Sequence, residues 1–171
     1  MKLFDLISLM AFSILPTTAN DLPTILKMND AALPAVSSVN LNEMTHFLNI
    51  ADYFNTLKIN NEIAGFLIAL TPGKDYHSLN YKWFENKFNS FMYVDRIVIT
   101  PEFQGRGFGH SFYQNLSKVT VGKEPRIACE VNIRPMNKGS ILFHEKYGFR
   151  QVGTQKTEGG KKEVSLMTLP L

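Results

Sequence analysis

The sequence is short of the residues that build disulfides and metal sites. Cys129 is the only cysteine among 171 residues, so the chain forms no internal disulfide and has no Cys-rich metal site. The four histidines, His46, His77, His110 and His144, show no metal-ligand spacing such as His-x-x-x-His. The sequence therefore predicts a protein that uses no metal.

Long apolar runs and strong net charge are also missing. No apolar run of the sequence reaches the roughly 18–20 residues that a bilayer-spanning helix needs. The net charge is only +3, with no long run of Lys and Arg, which is too little to predict a nucleic-acid partner. Apolar residues make up 44% and charged residues 19% of the chain, as in an ordinary soluble domain. We therefore expect one cytoplasmic domain with neither a membrane nor a nucleic-acid partner.

The N-terminal segment allows two interpretations. The apolar run Leu3–Leu15, followed by small residues at 17–19, is typical of a secretory signal with its cleavage site, and it would make the chain a secreted binding protein. Asp5 interrupts that apolar run. Ala11–Leu15 also has the pattern of a first strand, followed by a turn and by a helix that Asn20 or Asp21 can cap, with Pro23 in its first turn. We expect the second arrangement and keep the first as an alternative.

The rest of the chain alternates helical and β-rich segments without repeats or long linkers. We expect an extension over residues 1–9 and a single domain over residues 10–171. Helices are predicted over Asp21–Met28, Leu41–Ala51, Tyr81–Asn89, Gly107–Val119 and Asn137–Tyr147. Strands are predicted over Ala11–Leu15, Tyr53–Ile59, Glu62–Thr71, Phe91–Thr100, Arg126–Val131, Phe149–Gln155 and Glu163–Leu169. This order predicts an α/β fold, a mixed sheet with helices on both faces.

A glycine-rich loop lies between a predicted strand and a predicted helix. Its residues are Gln104, Gly105, Arg106, Gly107, Phe108 and Gly109. Glycines let backbone N–H groups approach an anion closely, and a helix start adds unpaired N–H groups with positive dipole character, so a diphosphate is a suitable guest. The loop lacks the Gly-Lys-Ser/Thr ending of a P-loop and the acidic strand end of a dinucleotide site. A helix-start turn that binds nothing is the alternative.

Two motifs in this order resemble the GNAT superfamily of acyl-CoA N-acyltransferases. Gln104, Gly107 and Gly109 match the pattern Gln/Arg-x-x-Gly-x-Gly/Ala that follows the fourth strand in that family. The pattern Asn-x-x-Ala/Ser…Lys-x-Gly-Phe is matched by Asn137, Ser140, Lys146, Gly148 and Phe149. The resemblance covers roughly residues 11–169 and includes the element order. It implies a mostly antiparallel sheet of six to seven strands and acetyl-CoA as cosubstrate.

The resemblance also implies where acetyl-CoA binds. The pantetheine arm would lie in an opening between the fourth and fifth strands, along the edge of the fourth, and the loop amides would hold the diphosphate. Outside the loop, the residues implied in binding are Ile97, Val98, Ile99, Asn137, Ser140 and Phe143. For Asn137, capping the last helix is an alternative role. The Ile97 amide is also the implied donor to the oxyanion of the reacting carbonyl.

Two carboxylates are candidates for the base that deprotonates the amine. Glu130 ends the Arg126–Val131 strand, where similar proteins carry a Glu that acts on the amine, commonly through water. Its alternative is a strand-end Glu that faces solvent or pairs with Arg134. Asp95 is the second candidate, because a charge inside an apolar strand is costly unless it is satisfied. Its alternative is pairing with Arg96 or with a neighbouring strand.

The acid that protonates the leaving thiolate also has two candidates. His144 stands where many family members have a Tyr in this role, and a His can donate a proton near neutral pH. A surface position beside CoA is its alternative. Tyr147, three residues further on the same helical face, is the second candidate, with packing beneath Gly148 as its alternative.

The segment Thr71–Ser90 is rich in aromatic residues and has two interpretations as well. It forms either a lid over the acceptor site or a packing helix whose apolar face holds Trp83 and Phe84. We expect an N-acetyltransferase that moves acetyl directly from acetyl-CoA to a small amine or a protein amine, with a homodimer as one assembly. A CoA-binding module without activity is the alternative.

Overall fold

The computed structural model describes residues 11–171, so the predicted extension over residues 1–9 lies outside the described residues. Seven strands are present: β1 (Phe12–Pro16), β2 (Tyr53–Ile59), β3 (Glu62–Leu70), β4 (Met92–Ile99), β5 (Arg126–Arg134), β6 (Arg150–Thr157) and β7 (Lys162–Pro170). Five α-helices accompany them: α1 (Leu22–Ala31), α2 (Leu41–Ile50), α3 (Leu79–Lys87), α4 (Phe108–Thr120) and α5 (Lys138–Tyr147). Every predicted helix and strand is present, with ends that differ by a few residues.

The strands form one mixed sheet in the order β1-β2-β3-β4-β5-β7-β6. The pairs β1–β2, β5–β7 and β6–β7 are antiparallel. The pair β4–β5 is parallel and joins Met92 with Ile127, Tyr93 with Ala128, and Val94 with Cys129. The predicted α/β class with six to seven strands is confirmed.

Local sequence explains two of the connections. Asn60 and Asn61 both have positive φ, 50° and 67°, as the tight turn of the predicted β2–β3 hairpin requires, and Asn is the non-glycine residue that tolerates this best. Helix α2 begins at the predicted capping box, where the Glu43 amide donates to Asn40 Oδ1 at 3.0 Å and the Asn40 amide donates to the Glu43 carboxylate at 2.7 Å.

The predicted cap of the first helix is wrong in detail. Asp21 precedes α1 but does not bond to the helix amides with its side chain. Its carboxylate instead accepts from the Thr18 amide and hydroxyl, at 2.8 and 2.9 Å, and from Lys58 at 3.0 Å. Thr18 and Asp21 form a capping box around a short 3-10 turn, Ala19–Asp21, which leads directly into α1. Pro23 lies in the first turn of α1, as predicted.

The chain divides into two compact units, each with its own buried residues. Unit 1 comprises residues 11–49, 53–68 and 96–116, and unit 2 comprises residues 50–52, 69–95 and 117–171. The large side chains buried in unit 1 include Ile25, Met44, Leu57, Phe66 and Phe112. Those buried in unit 2 include Tyr81, Phe84, Phe91, Tyr93 and Phe149. Strand β4 contributes residues to both units.

Arg96 is a buried cation in unit 1. Its side chain is only 4% exposed, and its guanidinium donates to Asn29 Oδ1 at 2.7 Å and to the backbone oxygen and the hydroxyl of Ser37 at 3.2 and 3.1 Å. The guanidinium also lies 5.3 Å from the centre of the Phe47 ring, a cation–π distance. These bonds join α1, through Asn29, and the segment that follows it, through Ser37, to strand β4.

Replacing Arg96 tests how much these bonds stabilise the fold. We expect Arg96→Met to lower the free energy of unfolding by about 1–3 kcal/mol, because it leaves the buried Asn29 acceptor without its donor. Urea unfolding measures the loss. Arg150→Met is the control, since Arg150 is exposed and its change is expected to cost less than about 0.5 kcal/mol. Equal losses in the two variants would contradict the role given to Arg96.

Candidate functional site

The glycine loop after β4 is held to the end of that strand. A turn over Pro101–Phe103 leads into the loop, and Gln104 Nε2 donates to the backbone oxygen of Ile99 at 2.8 Å. Gly105 and Gly107 have φ of 72° and 84°, the left-handed region that favours glycine. The loop therefore ends at the first turn of α4 in the arrangement that the sequence predicts.

The surroundings of this loop suit an anion. Nothing lies within 4 Å of the place that a Cβ would take at Gly105 or Gly107, so backbone amides there can be approached closely. Gly109 lies in the first turn of α4, a helix of 13 residues whose N-terminus carries positive dipole character. Arg106 is exposed, and its guanidinium lies 5.4 Å from the centre of the Phe103 ring. The residues present fit a diphosphate.

Phe108 has a structural role that the loop motif does not indicate. Its side chain is buried and packs edge-on against Phe12 of β1 and against Phe103, with ring centres 5.4 and 6.1 Å apart. Only its backbone amide is therefore suited to the anion-binding role that the sequence predicts. The ring anchors the start of α4 in unit 1.

The three β4 residues predicted to bind pantetheine do not share one face. Val98 is buried, whereas Ile97 and Ile99 are half-buried, as expected for side chains that alternate along a strand. Ile99 packs over Gly65 of β3, where an added Cβ would lie 2.6 Å from Ile99 Cδ1 and 2.7 Å from the Val98 oxygen. Gly65 was missed by sequence reasoning, although a glycine inside a strand often marks a close backbone approach.

The candidate base Glu130 lies in a hydrogen-bonded cluster of unit 2. Its Oε1 accepts from the Tyr93 hydroxyl at 2.9 Å and from Asn80 Nδ2 at 3.2 Å. The oxygen of that same Asn80 amide accepts from Gln155 Nε2 at 2.8 Å. Arg134, the predicted surface partner of Glu130, instead lies 3.7 Å from Glu163. Glu130 is thus bonded to β4 and α3.

Asp95 lies next to this cluster, on the same side of the sheet. Tyr93 pairs with Ala128 and Val94 with Cys129, so Asp95 and Glu130 are the next residues on the two strands. Residues two apart on a strand face the same way, which places Asp95 on the Tyr93 face. The Tyr76 hydroxyl donates to Asp95 Oδ1.

Arg96 directly follows Asp95 in the sequence, and successive side chains of a strand face opposite ways. The Arg96 guanidinium donates to Asn29 and Ser37. Asp95 is satisfied at least in part by Tyr76, a residue that sequence reasoning had assigned only to a lid segment.

Tyr93 remains a hydrogen-bond donor over the whole physiological pH range. Its side chain is fully buried, and burial is the largest cause that raises its pKa well above 10, followed by the nearby charges of Glu130 and Asp95. A phenol that keeps its proton donates steadily to a carboxylate. Sequence reasoning did not single out Tyr93, although its position two residues before Asp95 places both on one face.

The segment Thr71–Ser90 packs as the second interpretation predicts. Phe84 is fully buried, and Trp83 covers Gly153 of β6, where an added Cβ would lie 2.6 Å from the indole. Tyr81 fixes the start of the segment, because its hydroxyl donates to the Thr71 oxygen at 2.7 Å and accepts from the Lys74 amide at 2.9 Å. Burial raises the pKa of Tyr81 to about 12.

Helix α5 begins at Asn137 and contains the candidate acid His144. Asn137 caps the helix, since its Oδ1 accepts from the Ser140 amide at 3.2 Å. His144 is 3% exposed, so the alternative of a surface position is wrong. Its Nδ1 lies 2.8 Å from the Ser140 backbone oxygen, which can only accept, so Nδ1 carries the proton. Burial lowers the His144 pKa below 6.5, which favours the neutral ring.

The other aromatic residues of α5 surround His144. The Phe143 ring is 5.1 Å from the His144 ring and 6.5 Å from the Tyr147 ring, centre to centre. Tyr147 also packs against Phe149, at 6.2 Å, near Gly148. Burial is the largest cause that raises the Tyr147 pKa above 10, partly offset by a hydrogen bond with Ser117. Tyr147 therefore keeps its proton at neutral pH.

No group of three or more His, Cys, Asp or Glu within residues 11–171 is placed to hold a metal ion. None of the helices described in that range is long and apolar enough to cross a membrane. Cys129, the single cysteine, is buried in unit 2, as expected of a small core residue.

Comparisons with known proteins agree with these features. A search among curated proteins found no match. The solved structure of Ard1 from Thermoplasma volcanium is similar with a TM-score of 0.77 at 13% identity, over 94% of this chain and 98% of that one. The putative acetyltransferase yncA from Salmonella typhimurium, solved with its cofactor acetyl-CoA, gives 0.71 at 16% identity over 94% of both chains.

An acetyltransferase of the GNAT family from Streptococcus pneumoniae gives a TM-score of 0.69 at 18% identity, over 94% of this chain and 99% of that one. At such identities these likenesses show the fold. The model of the acetyltransferase (GNAT) family matches residues 26–149, well over half of the chain and including the glycine loop and α5. The chain belongs to the acetyltransferase (GNAT) family.

Proposed function

We propose that the protein is an N-acetyltransferase that transfers the acetyl group of acetyl-CoA directly to an amine in a ternary complex. The observation that carries the proposal is the glycine loop Gln104–Gly109, which opens α4 with exposed backbone in a chain of this family. A similar fold from Salmonella typhimurium was solved with acetyl-CoA. The cytoplasmic location and the homodimer stay predictions.

The residues that would hold acetyl-CoA follow from the loop. The amides around Gly105, Gly107 and Gly109 would bind the diphosphate, with Arg106 adding charge at the surface. Ser140 and Phe143 stay proposed contacts of the pantetheine arm. Asn137 already caps α5 with its Oδ1, and its Nδ2 group can donate to a ligand.

Glu130 is the proposed base. A protonated amine must lose a proton before its nitrogen can attack the thioester carbonyl. Glu130 takes that proton, directly or through water, and the neutral nitrogen then attacks the carbonyl carbon and forms the C–N bond. When the resulting oxyanion collapses, the C–S bond breaks, the thiolate takes a proton from the acid, and the nitrogen gives its second proton back to the deprotonated acid. The Ile97 amide is the proposed donor to the oxyanion that develops on the carbonyl oxygen. Glu130 is preferred to Asp95 because two neutral donors hold its carboxylate in place.

Tyr147 is the proposed acid for the leaving thiolate, in place of His144. With its proton on Nδ1 and bonded to the Ser140 oxygen, a neutral His144 has a lone pair on Nε2 and no proton to give there. Tyr147 is half-buried on the same helix and keeps its hydroxyl proton. His144 then serves to pack and orient the helix.

The neutral, buried His144 also supports a second candidate function. A family member that lacks the usual acid could bind acyl-CoA as a sensor without turnover. Release of free thiol from acetyl-CoA in the presence of a panel of amines distinguishes the two functions. Thiol release that depends on an amine supports the enzyme, and binding without release supports the sensor.

The loop is tested by binding. Because a ligand that binds only the folded state stabilises it by mass action, CoA should raise the melting temperature of the wild-type protein. Gly107→Glu should abolish this rise by placing a carboxylate at the diphosphate position. Gly122→Glu is the matched control, since Gly122 has φ of 79° and the same open surroundings. The proposal fails if both variants keep the wild-type shift.

The base is tested by kinetics at saturating acetyl-CoA. Glu130→Gln should slow kcat by about two to four powers of ten, the range for a general acid–base group, and leave CoA affinity nearly unchanged. Glu163→Gln, a carboxylate of β7 paired with Arg134, is the control. If Asp95→Asn abolishes turnover and Glu130→Gln does not, the base lies on β4.

The state of His144 is tested by stability against pH. Its folded pKa is lowered below the unfolded value of 6.5, so the unfolded state binds the proton more readily. The stabilisation is present above pH 6.5 and is lost as the pH falls below it. His144→Gln should flatten this acid-side loss in urea unfolding, whereas His110→Gln, at an exposed position, should not.

The dependence of kcat on pH decides between Tyr147 and His144 as the acid. Tyr147→Phe should remove the high-pH limb of the kcat profile, because the Tyr147 hydroxyl can no longer titrate. His144→Gln should leave that limb in place. The reverse pattern would return the acid role to His144.

A further inference from the structure

Three elements of unit 2 contribute to a set of linked hydrogen bonds that ends at the Glu130 carboxylate. Tyr93 comes from β4, Asn80 from the first turn of α3, and Gln155 from β6. They form one chain of hydrogen bonds, from Gln155 Nε2 to Asn80 Oδ1 at 2.8 Å and from Asn80 Nδ2 to Glu130 Oε1 at 3.2 Å, with Tyr93 donating to the same Oε1 at 2.9 Å. The linked hydrogen bonds end at Glu130, the proposed base, and at Tyr93, whose phenol keeps its proton.

The direction of the chain is set by chemistry. An amide side chain has one accepting end and one donating end. Gln155 donates to the oxygen of Asn80, so the NH2 group of Asn80 is the end turned toward Glu130. An ionised carboxylate only accepts, which matches this direction. Without Gln155, the Asn80 oxygen would lose its donor, and the amide would be held at the carboxylate by one hydrogen bond alone, free to rotate away from it.

The supporting elements are fixed by packing. Trp83 of α3 covers Gly153, two residues before Gln155 on β6. The Ser78 hydroxyl caps α3 by accepting from the Tyr81 amide. Asn80 therefore belongs to a helix that is both capped and packed against the strand that carries Gln155. The packing of unit 2 therefore fixes the geometry of this chain of hydrogen bonds.

We infer that Asn80 and Gln155 are positioning residues for the base: Gln155 orients the Asn80 amide, and Asn80 together with Tyr93 holds the Glu130 carboxylate in one orientation and in its ionised form. This inference rests on the proposed function, because it gives Glu130 the role of base. Neither residue needs to touch a substrate.

Other titratable groups share or contact this face of the sheet: Asp95 and Tyr93 of β4, Tyr76, which donates to Asp95, and Arg126 of β5, four residues before Glu130. The Asp95 charge opposes ionisation of Glu130, whereas the donors to Oε1 favour it. Removing a donor should therefore move the Glu130 pKa upward. The low-pH limb of turnover, which requires ionised Glu130, should then move to higher pH.

A double-mutant cycle tests the chain. Asn80→Leu and Gln155→Leu should each lower kcat by about tenfold, and the double variant should lose no more than Asn80→Leu alone, because Gln155 acts only through Asn80. The low-pH limb should move up by about one pH unit in both single variants. CoA affinity should stay the same.

Gln151→Leu is the matched control. Gln151 is another glutamine of β6 and accepts a hydrogen bond from Ser165, on the same strand but outside the chain to Glu130. We expect a wild-type pH profile for it. If Glu130→Gln is slow but Gln155→Leu matches Gln151→Leu, the inference is overturned while the proposed function survives. If Glu130→Gln turns over normally, the base assignment itself is wrong.

A titration that needs no acceptor gives a second readout. The carboxyl carbon of Glu130, labelled with carbon-13 and assigned by its loss in Glu130→Gln, reports protonation by NMR. Its midpoint should rise in Asn80→Leu and Gln155→Leu and stay at the wild-type value in Gln151→Leu. A midpoint that does not move in Asn80→Leu overturns the inference whether or not an acceptor has been found.

Discussion

Strand β4 carries charge into the interior, and much of the structure around it serves to satisfy that charge. Burying an ionised group costs several kcal/mol unless hydrogen bonds replace those with water. In unit 1 Asn29 of α1 and Ser37, in the segment after it, provide oxygen acceptors for the Arg96 guanidinium. In unit 2 the segment before and within α3 supplies donors to Asp95 and Glu130. These polar bonds help to fix the paths of both segments.

Much of the fold could be predicted because it depends on local patterns. Asn60-Asn61 between two β-rich runs, the capping pair Asn40 and Glu43, and Gly148 after α5 act within a few residues of chain. The glycine loop belongs to the same class, since positive φ and a helix start are local properties. Asp21 shows the limit of such patterns, because Thr18, three residues earlier, takes its carboxylate instead of the helix amides.

The candidate site was harder to predict because its partners are far apart in sequence. Asn80 bonds to a residue 50 positions away and accepts from one 75 positions away, and neither distance leaves a trace in periodicity or composition. The sequence could name Glu130 as a candidate base, but it could not predict which residues bond to its carboxylate. His144 shows a different limit: the motif gives its position in the helix, whereas burial and the Ser140 oxygen decide its protonation. Such effects depend on packing that only the structure shows.

Tyr76 and Asn80 lie within five consecutive residues, yet one bonds to Asp95 and the other to Glu130. A short surface segment of this kind is where enzymes commonly acquire new preferences, because loops tolerate change. Here the same segment also bonds to Asp95 of β4 and Glu130 of β5. A single substitution in it would therefore reach carboxylates on two strands at once. Evolution of this surface segment is in this way coupled to the hydrogen bonds around both side chains.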